Sequence, residues 1–185
     1  MPKIASEQTY HDAHSTADLE KIKSNWRKAL LLFEKKEWSG AVLRAATTIE
    51  IAANLVIKEE LQIKRHLDSD FVASLLLWAN GIHGKFTRII LPILKNTERH
   101  SELKRIQEQV FYIDEERNSI VHSGISKQRR TAEKVLGTGR EIIEKLIREY
   151  YDHFELKGFK IRQASRQVKS KKRTIQQYTL FPPGN

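Results

Sequence analysis

Residues 103–122, LKRIQEQVFYIDEERNSIVH, decide how the rest of the chain is read. Leu103, Ile106, Val110, Ile113 and Ile120 recur at three- and four-residue intervals, the period of one helix face buried against a core. The same period puts an apolar residue at position 117, but Arg117 stands there. Gly124, two residues beyond the stretch, suits a left-handed helix end. The stretch predicts a long helix that begins after Asn96 and Thr97, ends at Gly124 and carries one cation on its core-facing stripe.

Working outward, every other apolar segment has helical spacing. Leu19, Ile22, Trp26, Ala29, Leu30 and Phe33 form the face of a first helix. Ser15 and Asp18, three apart, have the spacing of its capping box, and residues 1–15 read as an irregular, flexible lead-in. A break at residues 37–40 precedes a second helix reaching to about Ile63. Its centre, residues 41–57, is apolar nearly all round, as expected of the middle helix of a bundle. Asp68, Ser69 and Asp70 signal another start, Gly81 and Gly84 punctuate the chain, and Pro92 is expected to kink or end the apolar stretch over residues 86–94. A last helix is expected from about Thr131 to Phe154, weakened by Gly137 and Gly139. The best strand candidate, Tyr178, Thr179, Leu180 and Phe181, is too short to build a sheet. The expected fold is therefore all-α: an antiparallel helical bundle of about five to six helices over residues 16–155, with a basic C-terminal tail over residues 156–185.

Charge separates body from tail. From Lys157 onward there are eight basic residues and no acidic one; removing these 8 from the net +10 leaves +2 for residues 1–156. Lys169, Lys171, Lys172 and Arg173 are the densest part of that tail and the candidate nucleic-acid-binding residues. A solvated terminus that only aids solubility is the competing reading. With no cysteine, disulfides, thiolate metal sites and cysteine nucleophiles are excluded. No apolar run reaches the ~20 residues of a membrane span, and the first residues lack a signal-peptide core, so a cytoplasmic protein with no membrane association is expected.

Arg117, Asn118, Ser119 and His122 gather a guanidinium, an amide, a hydroxyl and an imidazole within two helical turns. These groups suit cleavage of a phosphodiester. Histidine moves protons near neutral pH, arginine offers a fixed fork of charge to a pentavalent phosphorus, and the ribose 2′-hydroxyl can be the nucleophile. Arg117 and His122 lie five positions apart, about 140° around the helix, so they converge only through arginine's length or with a second copy of the helix. Each has a plainer reading. His122 can be a helix-end histidine favoured by the dipole, and Arg117 a structural ion-pair partner of Glu50, which also interrupts an apolar helix. His11 and His14 have metal-like spacing but no nearby partners, and residues 137–140 lack the strand and lysine of a phosphate loop.

The run Arg117-Asn118-x-x-x-His122, late in a long helix of a small helical bundle, resembles the motif of the HEPN superfamily of ribonucleases. The helix around residues 44–54 is similar to that family's central helix, and the resemblance covers residues 16–155. It implies a metal-independent endoribonuclease, without cofactor, that dimerises so that both copies of Arg117 and His122 face one cleft. Many such enzymes are toxins or phage-defence effectors, so RNA and an antitoxin or regulatory protein are the implied partners. In family members regulated by a small nucleotidyltransferase, a tyrosine two residues after the histidine is modified; here that position is Gly124, which argues against that regulation.

Overall fold

Helix α1 runs over Lys3–Glu34 and packs lengthwise on α2, Trp38–Lys58. The computed structural model describes residues 3–158, with side chains from residue 16 onward. The first helix thus begins well ahead of the expected start: no glycine or proline lies between residues 3 and 34, so nothing ends a helix that has begun. Asp18, which resembled a capping-box partner, instead accepts from Lys21 and Lys58, each at 2.9 Å. That contact, at the far end of α2 from the ring pair Phe33–Trp38 beside the turn, makes α1 and α2 an antiparallel hairpin.

A π-helical turn, Glu59–Ile63, continues α2. Next come α3, Ser69–Trp78, and a continuous rod over residues 81–93 made of α4 (Gly81–Lys85), a second π turn (Phe86–Ile90) and α5 (Leu91–Ile93). The wider second turn sits directly before Pro92, where it relieves the clash of the ring with the carbonyl four residues back. The last rods are α6, Arg99–Ser123, and α7, Arg129–Ile147. Among the described residues these make six helical rods and no strand, an all-α domain.

Local signals explain the ends. The Asp68 carboxylate accepts from the backbone N–H of Asp70 and Phe71 at 3.0 Å, capping α3. Gly124 ends α6 at φ 65°, where a side chain would be strained. Helix α7 stops at Ile147, short of the expected Phe154, yet Phe154 and Leu156 still enter the core from the irregular segment that follows.

The core surrounds α2. Its small residues Ala41, Ala45, Ala46, Ala52 and Ala53 are buried and let neighbours approach closely. Ile22, Trp26 and Ala29 come from α1, Leu103, Ile106, Val110 and Ile113 from α6, and Val135, Leu136, Ile142 and Ile143 from α7. Gly139 does not weaken α7 but fits it to the bundle: a Cβ there would lie 3.3 Å from Ile49 Cδ1 and 3.8 Å from Trp26. The Trp26 indole N–H donates to the Lys157 carbonyl at 3.1 Å and fastens the chain after α7 to α1. Lys134 over Tyr112, and Lys127 paired with Glu116, show α6 and α7 running antiparallel. Helix α2 and α7 run in the same direction, since Gly139 lies beside Ile49 and Tyr150 beside Glu60. The bundle thus combines the parallel pair α2–α7 with the antiparallel pairs α1–α2, α6–α7 and α2–α6, because α3 to α5 carry the chain back before α6. Residues Trp38–Ile63 are long and apolar enough to cross a membrane, and 61% of the apolar window is buried inside the bundle.

Candidate functional site

Helix α6 loses its core contacts as it approaches Gly124. Ile113 is fully buried, whereas Arg117 and Ile120 are half-buried and His122 is exposed. The stripe therefore carries Arg117 out of the core at the rim of the bundle, where water reaches part of its side chain.

There the guanidinium donates one hydrogen bond, from Nη1 to the side-chain oxygen of Asn118 at 2.7 Å. The Asn118 amide nitrogen in turn donates to Asp114 Oδ2 at 3.3 Å, one turn earlier. Burial pushes the Asp114 carboxyl above its ordinary range; the charges of His83 and Arg117 and the Asn118 hydrogen bond pull it back, and the Glu50 charge adds to the rise. Asp114 faces the start of α4, where Gly81 has φ 76° and a Cβ would lie 3.8 Å from Oδ1. His83 stands over Phe111 on the same side of α6, with ring centroids 5.2 Å apart.

Glu50 is not the partner of Arg117. It pairs with Lys85 of α4, a lysine buried to 5% exposure. A buried ammonium without a carboxylate is costly, which explains the pairing; sequence reasoning missed Lys85 because it sits between glycines and the apolar run in what read as punctuation. Ser119 donates from its hydroxyl to the Glu116 carbonyl at 2.8 Å, so its side chain is turned back onto its own helix. Among the described residues Arg117 has no carboxylate within ion-pair distance, and His122 has no hydrogen-bond partner.

No family model matches this chain, and neither a curated protein nor a solved structure matches it. The site is therefore read from its own geometry. Asn118 and His122 are one turn apart on one side of α6, and Asn118 draws the Arg117 guanidinium toward that side, reducing the separation of about 140° that the helix imposes. The single chain brings Arg117, Asn118 and Asp114 together and leaves His122 one turn beyond them, with exposed Val121 and Ile125 beside it. Other half-buried or buried titratable groups of this region are Glu50, His83 and Lys85, together with Glu116, which pairs with Lys127 at 2.6 Å. Among the described residues no three His, Asp or Glu side chains are grouped as metal ligands. The tail candidates Lys169, Lys171, Lys172 and Arg173, and the strand candidate over residues 178–181, lie outside the described residues, as do the side chains of His11 and His14.

Proposed function

We propose that this chain is a metal-independent endoribonuclease of the HEPN type, working as a homodimer. The observation that carries the reading is Arg117: half-buried and, among the described residues, bound to a neutral amide and to no carboxylate, with the rest of its five N–H donors uncommitted there. A guanidinium held in this way is oriented without being neutralised, which is what stabilising a phosphorane requires.

In the reaction the ribose 2′-oxygen attacks phosphorus as its proton leaves to a base, and the 5′-oxygen takes up a proton as its bond to phosphorus breaks. The products are a 2′,3′-cyclic phosphate and a 5′-hydroxyl. His122 is the proton-transfer group, Arg117 opposes the charge on the non-bridging oxygens, and Asn118 orients Arg117. Since one chain leaves His122 apart from Arg117, a second copy completes the cleft. The tail from Lys157 gathers RNA by charge, with an antitoxin or other regulatory protein holding the activity in check.

Wild type, Arg117→Ala and His122→Ala protein incubated with total RNA in excess EDTA test the reading. Cleavage by wild type alone supports it. Equal cleavage by all three refutes the site. RNA binding without cleavage favours a different reading, a silent HEPN-like scaffold or nucleic-acid-binding module, for which the exposed and unpartnered His122 speaks.

A further inference from the structure

The amide that holds Arg117 is itself ambiguous. An asparagine side chain presents an acceptor oxygen on one side and a donor NH2 on the other, and a half-turn of the amide exchanges them. Arginine has only donors, so Arg117 is held when the oxygen of Asn118 faces it and repelled when the NH2 does. Something must fix which end points to the guanidinium. Asn118 is bonded on both sides: its oxygen accepts from Arg117 at 2.7 Å, and its nitrogen donates to Asp114 Oδ2 at 3.3 Å. An ionised carboxylate is acceptor-only, so Asp114 admits one orientation of the amide, the one that offers oxygen to Arg117.

We propose that Asp114 is a positioning residue for the reaction assigned above, acting on Arg117 through the Asn118 amide; this rests on that functional reading. The arrangement separates two jobs that a direct ion pair would merge. A carboxylate in contact with Arg117 would orient it and also neutralise it, leaving less charge for a phosphate. Placed one residue away, the carboxylate sets the direction of the guanidinium, while the neutral amide occupies one of its donors.

The surroundings keep Asp114 available for this. Among the described residues it makes no ion pair within 4 Å, and the buried cation of α4, Lys85, is bound to Glu50. His83 and Arg117 bear on it by charge only. The start of α4 closes over its other oxygen at Gly81, whose positive φ and lack of a side chain permit the approach.

The test compares Asp114→Leu, which keeps the branched shape but removes the acceptor, with Asp114→Asn, which can still turn an oxygen toward Asn118. Cleavage is followed with separate kcat and KM, and the Arg117 guanidinium by 15N NMR of arginine-labelled protein, a readout independent of activity. Asp114→Leu is expected to lower kcat on the order of ten- to hundredfold with KM little changed, the scale of a misplaced catalytic group. It is also expected to release the restricted rotation of the Arg117 guanidinium, with Asp114→Asn restoring most of both. An Arg117 signal unchanged in Asp114→Leu overturns the proposal, as does a kcat equal to wild type. A wild type that cleaves no RNA refutes the nuclease reading instead, and the NMR comparison then decides the role of Asp114 alone. The Asn variant keeps the test open if the leucine variant fails to fold.

Discussion

Glu60→Gln isolates the electrostatic clasp at the end of α2. The π turn there directs two successive glutamates inward: Glu59 accepts from the Tyr151 hydroxyl, and Glu60 from the Tyr150 hydroxyl, both at 2.5 Å. Glu60 also pairs with Lys64 at 2.9 Å and Arg65 at 2.6 Å. Burial alone would raise its pKa, but the hydrogen bonds from Arg65, Lys64 and Tyr150 and the charge of Lys64 outweigh burial and lower it from 4.5 to about 2. A folded-state pKa below the unfolded value means the carboxylate stabilises the fold above pH 4.5, and this contribution fades as pH falls toward 2. At 1.36 kcal/mol per unit the drop corresponds to ~3.4 kcal/mol. Because the Lys64 and Arg65 side chains keep 52% and 40% of their surface in water, screening reduces the expectation to about 2 kcal/mol. Glutamine keeps the shape and an acceptor for Tyr150 while removing the charge. In urea unfolding at pH 7 the variant should lose about 1 M in midpoint, for a slope of about 2 kcal/mol/M. Its curve should converge on wild type as pH falls from about 4.5 to 2. Parallel curves for the two proteins over that range would refute the reasoning.

The remaining expectations concern the core and the site. Lys85→Met should destabilise the fold by about 2 kcal/mol at neutral pH in chemical denaturation, since it leaves Glu50 unpaired at 31% exposure; Lys85→Met with Glu50→Leu should recover most of the loss. Gly139→Val should cost ~1–3 kcal/mol in thermal unfolding, because a Cβ already stands 3.3 Å from Ile49 and the added methyls would overpack the α2–α7 contact. His122→Ala should leave the unfolding free energy unchanged within about 0.5 kcal/mol, its side chain being exposed and without a partner among the described residues, so any loss of cleavage is separable from unfolding.

What could be read from the chain alone is what depends on neighbours in sequence. The stripe Leu103, Ile106, Val110 and Ile113 is buried throughout, Asp68 caps α3, Gly124 ends α6, and the all-round apolar segment is the central helix. What was hidden depends on distant contacts. Gly139 looked like a weak point because its fit against Ile49 and Trp26 is tertiary. Lys85 looked incidental because Glu50, 35 residues earlier, makes it a core residue. The end of α7 at Ile147 is set by Tyr150 and Tyr151 turning back to Glu60 and Glu59. At the site, Arg117 was visible as a misfit in its stripe, and Asn118 by adjacency. Asp114 was not singled out, because only the amide between it and Arg117 gives it meaning, and that bond is a matter of rotamers rather than period.

Lys85 and Arg117 both stand among apolar residues of this bundle, and their contrast bears on the proposed role of Arg117. Lys85 is buried and bound by Glu50, as expected when a charge serves the fold: desolvation is offset by a direct carboxylate, and water hardly reaches it. Arg117 sits at the edge of the same interior with no such partner among the described residues, although Asp114 lies one turn away on its own helix. If orientation for stability were the only demand, a direct carboxylate clamp would serve better than an amide spacer, because charge-assisted bonds are roughly twice as strong as neutral ones. The spacer forgoes that stability and leaves the guanidinium its full positive charge. A residue that breaks its stripe, is held in place and lacks a counter-ion among the described residues is what the proposed reading requires, since its ligand would bring the negative charge and phosphate matches the fork geometry of arginine. On this ground the phosphodiester reading is preferred to one in which Arg117 merely closes the end of a helix.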